Sequence, residues 1–428
     1  MKESPISNYR WVICSLLYFA TTINYIDRQI LSLLKPMLDE QLGWTSTQFG
    51  AINSAFQASY GVSLLVFGWL IDKYGTKLGY ALSIGAWSIA ALGHALVNTI
   101  GGFFGARIAL GLGEGGNFPA AVKAVAQWFP KSERAFATSL FNSGANVGAI
   151  VAPMIVPPIA YALGWHWTFI FAGLAGFLWI FAWWPLFSTP RECRRVSPGE
   201  LAYIEQDEDG IAEPEKGKTS YARILKHRQA WSFVLAKFLT DPVWWFFLIW
   251  LPDYFKKTRH LDIKNSWVHL ASIYAIITVL SVFGSWFTGR LNRSGWSLNR
   301  ARKLSMLVFA LCAVPIVIVT RVDDWTAVLL IGLAGAAHQA WSASLYTTVS
   351  DMFPKRAVAS LIGIGSMAGS LGGMGFPLLT GMVLDRFTNG YAIIFGVCSG
   401  AYILAFIVNH VLAPRFDAVA FDSGEATR

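Results

Sequence analysis

With 428 residues, 54% hydrophobic and only 14% charged, the chain is too apolar to cover a soluble protein's surface with charge. The formal net charge of +9 raises nucleic acid as a partner, but the placement of the basic residues, traced below, excludes it. Four cysteines without paired spacing, Cys14, Cys193, Cys312 and Cys398, predict neither a disulfide framework nor a metal site.

Apolar runs of about 20 residues, enough to cross roughly 30 Å of hydrocarbon as a helix, recur along the chain. Their continuity lacks the period of two that a β-barrel needs. Spans are expected at 11–33, 46–71, 78–97, 101–127, 136–161, 167–187, 229–254, 267–288, 303–320, 325–350, 357–383 and 390–412. The reading is an all-α polytopic membrane protein with twelve transmembrane helices and both termini on one side. Most Lys and Arg outside the spans fall on that side, which the positive-inside rule makes cytoplasmic. The basic excess is thus a topology signal. One loop opposes it: Lys256, Lys257, Arg259 and Lys264 lie on the other side and read as a solvated surface. Trp11 to Leu31 has no small-residue cleavage site, so it is expected to be retained as the first span. A bacterial inner membrane fits this pattern.

The first span carries Asn24-Tyr25-Ile26-Asp27-Arg28 near its outer end. Charges in a bilayer cost roughly 2.5–3.5 kcal/mol each on insertion scales and are tolerated facing a bundle interior or a water-filled cavity. Asp27 and Arg28 are therefore functional candidates. Adjacent residues point about 100° apart around a helix, so they cannot share one role. In the fourth span Arg107 and Glu114, seven residues apart, return to nearly the same face about 10 Å apart along the axis. Arg28 and Arg107 both fall in the outer half of their spans, where two planar, permanently charged guanidiniums suit a carboxylate. A carboxylate whose environment changes during transport suits proton coupling, which makes Asp27 and Glu114 candidates. Tyr60, beside Gln57 in the second span, and Tyr25 in the first can hydrogen-bond a carboxylate or hydroxyl. Asn142 and Asn146, four apart in the fifth span, share a face suited to sugar hydroxyls.

The segment 188–228 is the one long hydrophilic stretch and reads as a cytoplasmic linker between halves 1–187 and 229–414, with 415–428 as a tail. Phe129-Pro130-Lys131 followed by Arg134-Ala135 is echoed by Phe353-Pro354-Lys355-Arg356-Ala357, each opening a Gly/Ala/Ser-rich span. The halves read as parallel repeats, a transporter plan with a midplane site. In the second half, Lys237 and Asp241 stand four apart and can neutralise one another, or Lys237 can present a second positive group to an anion, while His338 and Trp341 form a wall of the substrate site. Gly111, Gly115, Gly369 and Gly373 read as small-residue packing surfaces, not phosphate loops. The chain shows no GxxxxGK[ST] loop, Ser/His/Asp arrangement or His-rich cluster, so neither enzymatic chemistry nor a cofactor is expected.

Gly68-Trp69-Leu70-Ile71-Asp72-Lys73-Tyr74-Gly75-Thr76-Lys77, between the second and third spans, resembles the loop motif of the major facilitator superfamily. The resemblance implies two six-helix pseudo-symmetric halves and a gating role for Gly68, Asp72, Lys73, Gly75 and Lys77. The matching loop of the second half has Gly289 where that family usually has aspartate. Within the superfamily, Asn24 to Arg28, Gly111-Leu112-Gly113-Glu114-Gly115-Gly116-Asn117-Phe118-Pro119 and Thr240-Asp241-Pro242-Val243-Trp244-Trp245-Phe246 together resemble the anion:cation symporter family. The last of these, with Gly295 to Lys303, is most similar to its hexuronate branch. What the resemblance implies is proton-coupled import of an organic anion, a hexuronate first, with Asp27 and Glu114 carrying protons and Tyr60 binding substrate. Galactonate-like members are expected to carry a glutamine close to Asn146, and its absence points to a different sugar acid. Partners are then a small organic anion, protons and the lipid bilayer, with a monomeric carrier and no nucleic acid. An aldonate, an aromatic or dicarboxylic acid, and a nutrient sensor without flux stay open as alternatives.

Overall fold

The computed structural model describes residues 7–206 and 221–419. Residues 207–220 of the expected linker and 420–428 of the expected tail lie outside the described residues. Every regular element among them is helical: α1 (Tyr9–Leu42), α2 (Ser46–Tyr74), α3 (Thr76–His94), α4 (Ile100–Glu114), α5 (Asn117–Trp128), α6 (Lys131–Leu163), α7 (Trp165–Leu186), α8 (Pro198–Glu205), α9 (Tyr221–Ile224), α10 (Arg228–Arg259), α11 (Ile263–Arg293), α12 (Leu298–Ala313), α13 (Asp324–Met352), α14 (Lys355–Arg386) and α15 (Gly390–Leu412). Nine of the described helical stretches are long and apolar enough to cross a membrane. With α1, α3 and the α4–α5 segment they account for twelve crossings.

Helix ends follow local chemistry. Thr45 and Gln48 form a reciprocal capping box at the start of α2, and Gly43 (φ +60°) closes α1 with its N–H on the Asp39 carbonyl. The Asp323 side chain accepts from the Trp325 and Thr326 N–H groups to start α13.

Three expectations are corrected. The first span does not stop at residue 33 but continues as helix to Leu42, through Lys35 and Asp39, because those charges find partners inside the protein. Arg28 therefore stands near the middle of α1, about 21 Å from its C-terminal end, and not in the outer part of a short span. The fourth span is two helices, interrupted at Gly115-Gly116. The ninth starts earlier, at Leu298, and tightens into a 3-10 stretch, Val314–Arg321, at Pro315, which cannot donate the helical hydrogen bond.

The chain forms two compact units. The first comprises Met1–Ala212, Leu248–Ala275 and Met374–Thr388, so it includes one end of α10, of α11 and of α14. Inside it α1 packs on α6 and α7, α2 on α4, and α3 on α4 and α7. Glycines set the spacing around α4. A Cβ on Gly111 would come within 2.6 Å of the Phe56 carbonyl oxygen of α2, and one on Gly113 within 2.7 Å of the Trp87 Cα of α3. Gly115 and Gly116 press in the same way on Ser63 and Ser83. Interrupting the helix there frees carbonyls, and the same serines use them: Ser63 donates to Leu112 and Ser83 to Gly113, the latter at 2.6 Å. Glu114 sits within this tight set.

At the N-terminal end of α1, the linker helix α8 contributes the buried Glu200. Its carboxylate accepts from the Tyr9 and Arg10 N–H groups, both at 3.1 Å, and from the Arg10 guanidinium at 3.1 Å. An anion there complements the unpaired donors of a helix start. Burial works against the charge on Arg10, but Glu133 and Glu200 outweigh it and raise its pKa.

At the other end of α1, the buried Lys35 ammonium lies 2.7 Å from Asp39 and 2.8 Å from Asp253 of α10, with the rings of Phe49 and Trp250 beside it. Asp385 of α14 accepts from the Ser46 and Thr47 N–H groups that begin α2, at 3.0 and 2.7 Å. Two lysines of the basic loop pair within the first unit. Lys256 binds Glu40 and the Pro36 carbonyl, both at 2.7 Å, and Lys257 lies 3.3 Å from Asp253. The hydrogen bond from Lys256, and then its charge, lower the Glu40 pKa.

The second unit comprises Glu213–Phe247, Ile276–Gly373 and Asn389–Arg428. Within it α12 packs on α13 and α15, and the 3-10 stretch after α12 on α13 and α15.

Two stability tests follow from these packings. Gly113→Ala forces a methyl into backbone and is expected to cost about 1–3 kcal/mol, whereas Gly68→Ala, whose Cβ meets nothing within 4 Å, should change stability by under about 0.5 kcal/mol. Removing one of the two counter-charges of Lys35 with Asp253→Ala should cost about 1–3 kcal/mol, because Asp39 still faces the ammonium, and pairing it with Lys35→Met should recover part of the loss. Thermal unfolding in detergent reads both.

Candidate functional site

The central charges of the first unit gather where α1, α2 and α4 meet. Arg28 reaches from α1 to α4 and places Nε 2.6 Å from Glu114 Oε2. Arg107, two turns earlier on nearly the same face of α4, donates from Nη2 to the Arg28 carbonyl oxygen at 3.0 Å. The two arginines therefore do not stand as an empty fork: one is engaged by Glu114, and the other braces the backbone that carries the first. Asp27 is 2% exposed, and both its oxygens are buried without a hydrogen-bond donor. It belongs to the same electrostatic group, acting on Arg107 and Glu114. The quartet Asp27, Arg28, Arg107 and Glu114 is formally neutral, two positive charges against two negative.

Aromatic rings enclose Arg28. Its guanidinium carbon lies 4.5 Å from the Tyr60 ring centroid, 5.1 Å from Tyr25 and 5.6 Å from Phe56. Tyr25 reaches it because residues three apart share a helix face, and Phe56 and Tyr60 because they are four apart and stacked. Phe56 also faces Arg107 at 5.4 Å. Contacts of this kind contribute about 0.5–2 kcal/mol each and hold the cation without consuming its hydrogen-bond donors. Gln57, next to Phe56, is buried with its amide nitrogen unpartnered. Glycines again explain the approach: a Cβ on Gly148 of α6 would lie 2.6 Å from the Thr22 carbonyl oxygen and 2.9 Å from the Tyr25 Cβ.

The structure does not bring every expected residue to this cluster. Asn142 and Asn146 lie about 200° around α6 from Gly144 and Gly148, the positions that meet α1, so their side chains leave on the opposite face. Asn142 is exposed and Asn146 half-buried. In the motif between α2 and α3, Asp72 pairs with Lys123 of α5 at 2.7 Å, and Gly75 (φ +86°) makes the turn. Lys73 rests on Trp69 and Tyr74, and Lys77 on Trp184. Gly68 lines an open groove with Asp72, Phe118 and Lys123, where a Cβ would meet nothing within 4 Å.

In the second unit, Lys237 pairs with Asp241 at 2.8 Å and lies 4.8 Å from the Tyr346 ring. His338 Nδ1 is 2.7 Å from the Tyr402 hydroxyl, and its ring stacks on Trp244, with centroids 5.5 Å apart. Trp341 packs edge-on to the same Tyr402 ring. Sequence reasoning missed Phe56, Tyr346 and Tyr402. Phe56 had a signal, since it stands one helical turn before Tyr60. The other two lie in different helices from the residues they serve.

The sequence pattern of the Major Facilitator Superfamily matches residues 17–345. The chain is 31% identical over 402 residues to the hexuronate transporter of Escherichia coli (strain K12), covering 92% of this chain and 91% of that one. It is 29% identical over 423 residues to a probable galactarate/D-glucarate transporter of Bacillus subtilis, covering 94% and 92%. Among solved structures, the crystal structure of a D-xylose–proton symporter superposes with a TM-score of 0.76 at 14% identity, covering 97% of this chain and 100% of that one. The polytopic helical fold, the buried charges of its first unit and these matches converge: the chain belongs to the Major Facilitator Superfamily of membrane transporters.

Proposed function

We propose that the protein is a proton-coupled symporter that imports a sugar acid, a hexuronate first, by alternating access between two six-helix halves, 1–187 and 229–414. The carrier sits as a monomer in a bacterial inner membrane with its termini in the cytoplasm. The observation that carries this reading is the neutral quartet of Asp27, Arg28, Arg107 and Glu114. An entering carboxylate adds one negative charge to a balanced, desolvated group. Balance returns when a proton neutralises Asp27 or Glu114, so anion and proton favour each other's binding. The sugar-acid relatives support the substrate class.

Arg28 is the anion ligand in this reading. Its planar fork binds both carboxylate oxygens, and the substrate competes with Glu114 for it. Tyr25 and Tyr60 shape its surroundings, Arg107 holds the backbone at Arg28, and Gln57 offers an amide donor to a hydroxyl. Asp27 lacks a donor of its own, so a proton is the smallest partner that answers it. The energetics agree. A hexuronate carries one negative charge, and moving it inward against 100 mV costs about 2.3 kcal/mol, which one accompanying proton cancels. Asp72 and Lys123, with Lys73, Gly75 and Lys77, form a gate-side lock on the cytoplasmic face.

Proteoliposomes with an imposed pH gradient test the division of labour. Arg28→Ala should lose binding by about 30-fold or more, the consequence of about 2–5 kcal/mol for truncating one member of a buried charge pair. Asp27→Asn should keep binding and exchange but lose proton-driven accumulation, and Glu114→Gln should lose the pH dependence of uptake. Lost binding in folded Asp27→Asn, or normal accumulation in Glu114→Gln, would contradict the assignment.

A further inference from the structure

Asn24 lies one turn before Arg28 on α1, about 6 Å along the axis, so the two share a face. It is fully buried, and both amide atoms, Oδ1 and Nδ2, lack a hydrogen-bond partner among the described residues. Other polar side chains of these helices close local bonds. Thr21 and Thr22 donate to carbonyls of their own helix, and Asn53 of α2 does the same to Phe49 at 3.0 Å. A buried amide left open costs about 1–3 kcal/mol, so stability does not explain Asn24. On α4 its neighbour is Glu114. The Asn24 amide is near enough to act on that carboxylate, yet the two do not reach the geometry of a formed hydrogen bond. Glu114 turns Oε2 to Arg28 at 2.6 Å, and its Oε1 is buried without a donor. The charged and titratable groups acting on Glu114 are Asp27, Arg28 and Tyr25 from α1 and Arg107 from its own helix. Tyr60 of α2 faces Arg28, and His94 of α3 acts on Arg107. Asn24 adds to these a neutral group with both a donor and an acceptor.

Resting on the reading in which a substrate carboxylate competes with Glu114 for Arg28, we propose that Asn24 is a positioning residue that receives the protonated Glu114 once the substrate holds the arginine. The two groups are complementary at two points. A protonated carboxyl has an O–H to give and a carbonyl oxygen that accepts, while a carboxamide has a carbonyl that accepts and an N–H to give. Asn24 satisfies both ends of the displaced acid, and it brings no charge to unbalance the quartet. Without it, the displaced carboxyl would stay buried with nothing to answer its O–H, at the cost of any unpaired buried polar group. The open amide is thus the counterpart of the closed Arg28–Glu114 pair: one holds Glu114 in the empty carrier, the other in the loaded carrier. Only the acid form of Glu114 engages both amide atoms, so Asn24 strengthens the coupling between anion and proton. The proton comes from water and returns to it, and Asn24 itself neither gains nor loses one.

The test is the pH dependence of the KM for labelled glucuronate in proteoliposomes, wild type against Asn24→Leu, which keeps the bulk of the side chain and removes both amide atoms. Without its receiver the protonated Glu114 is harder to form, so the midpoint of the pH dependence should move toward acid by about one unit. Read near neutral pH, KM should rise about tenfold, and it should converge with the wild-type value as the pH falls. In a Glu114→Gln background the side chain carries no titrating proton, and adding Asn24→Leu should leave the midpoint unmoved. Asn24→Ala repeats the comparison where the leucine variant does not fold. A KM that rises equally at every pH, an unchanged profile in a folded variant, or a shift that persists in Glu114→Gln overturns the proposal and makes Asn24 a packing residue. Glu114→Gln with wild-type pH dependence overturns the assignment of Glu114 itself, a result read in a variant that leaves Asn24 intact.

Discussion

Arg28 and Glu114 are the constraint around which the first unit is built. Isolated, either charge would be untenable away from water, and their 2.6 Å contact compensates each only while α1 and α4 hold their present spacing. That spacing is not set by the charges. It comes from glycines, which let α4 lie backbone to backbone against α2 and α3, and let α6 press on α1 at Tyr25. A side chain at Gly111 would push against the Phe56 carbonyl, at the segment that presents Phe56 and Tyr60 to Arg28. The glycine-rich sequence around Glu114 is thus a positioning device for a charge. Its serine neighbours satisfy the carbonyls that the break after Glu114 exposes.

The same helix meets the problem of buried charge in three ways. Arg28 is paired with a carboxylate and lined by aromatic rings. Lys35, two turns further on, is matched by two carboxylates, Asp39 on its own helix and Asp253 on α10. Asp27 has neither a paired cation nor a donor within hydrogen-bond reach. The first two are closed arrangements that resist change, since each buried charge is already matched by a counter-charge within the protein. The third is open, which suits a group whose partner comes and goes. A transporter needs both kinds: fixed pairs that define an arrangement of helices, and an open group through which a bound ion alters it.

Much of this was legible in the sequence because charge in an apolar run is a strong local signal. Arg28, Arg107 and Glu114 stand out against their surroundings, and the spacing of Lys237 and Asp241 anticipates the pair that forms. What escaped depends on contacts between distant segments. Lys35 read as a loop residue because its second partner, Asp253, is more than two hundred residues away. Hydrophilic sequence at 188–206 read as linker, yet Glu200 caps α1 through the Tyr9 and Arg10 N–H groups. Asn142 and Asn146 were grouped correctly on one face of α6, but periodicity cannot say which face meets α1; Gly144 and Gly148 decide that. The interruption at Gly115-Gly116 was hidden because glycine is ordinary in transmembrane helices.

The two units treat their buried cations differently. In the first, Arg28 places Nε on Glu114 and its guanidinium among the rings of Tyr25, Phe56 and Tyr60, and a guanidinium carries five N–H groups in a planar fork. In the second, Lys237 is a compact ammonium whose charge is concentrated at one atom, and Asp241 already sits on it at 2.8 Å. An arginine at that place could serve two acceptors; a lysine so closely matched serves one well. Gly369 makes room for the Asp241 carboxylate, so this buried charge is balanced where it stands.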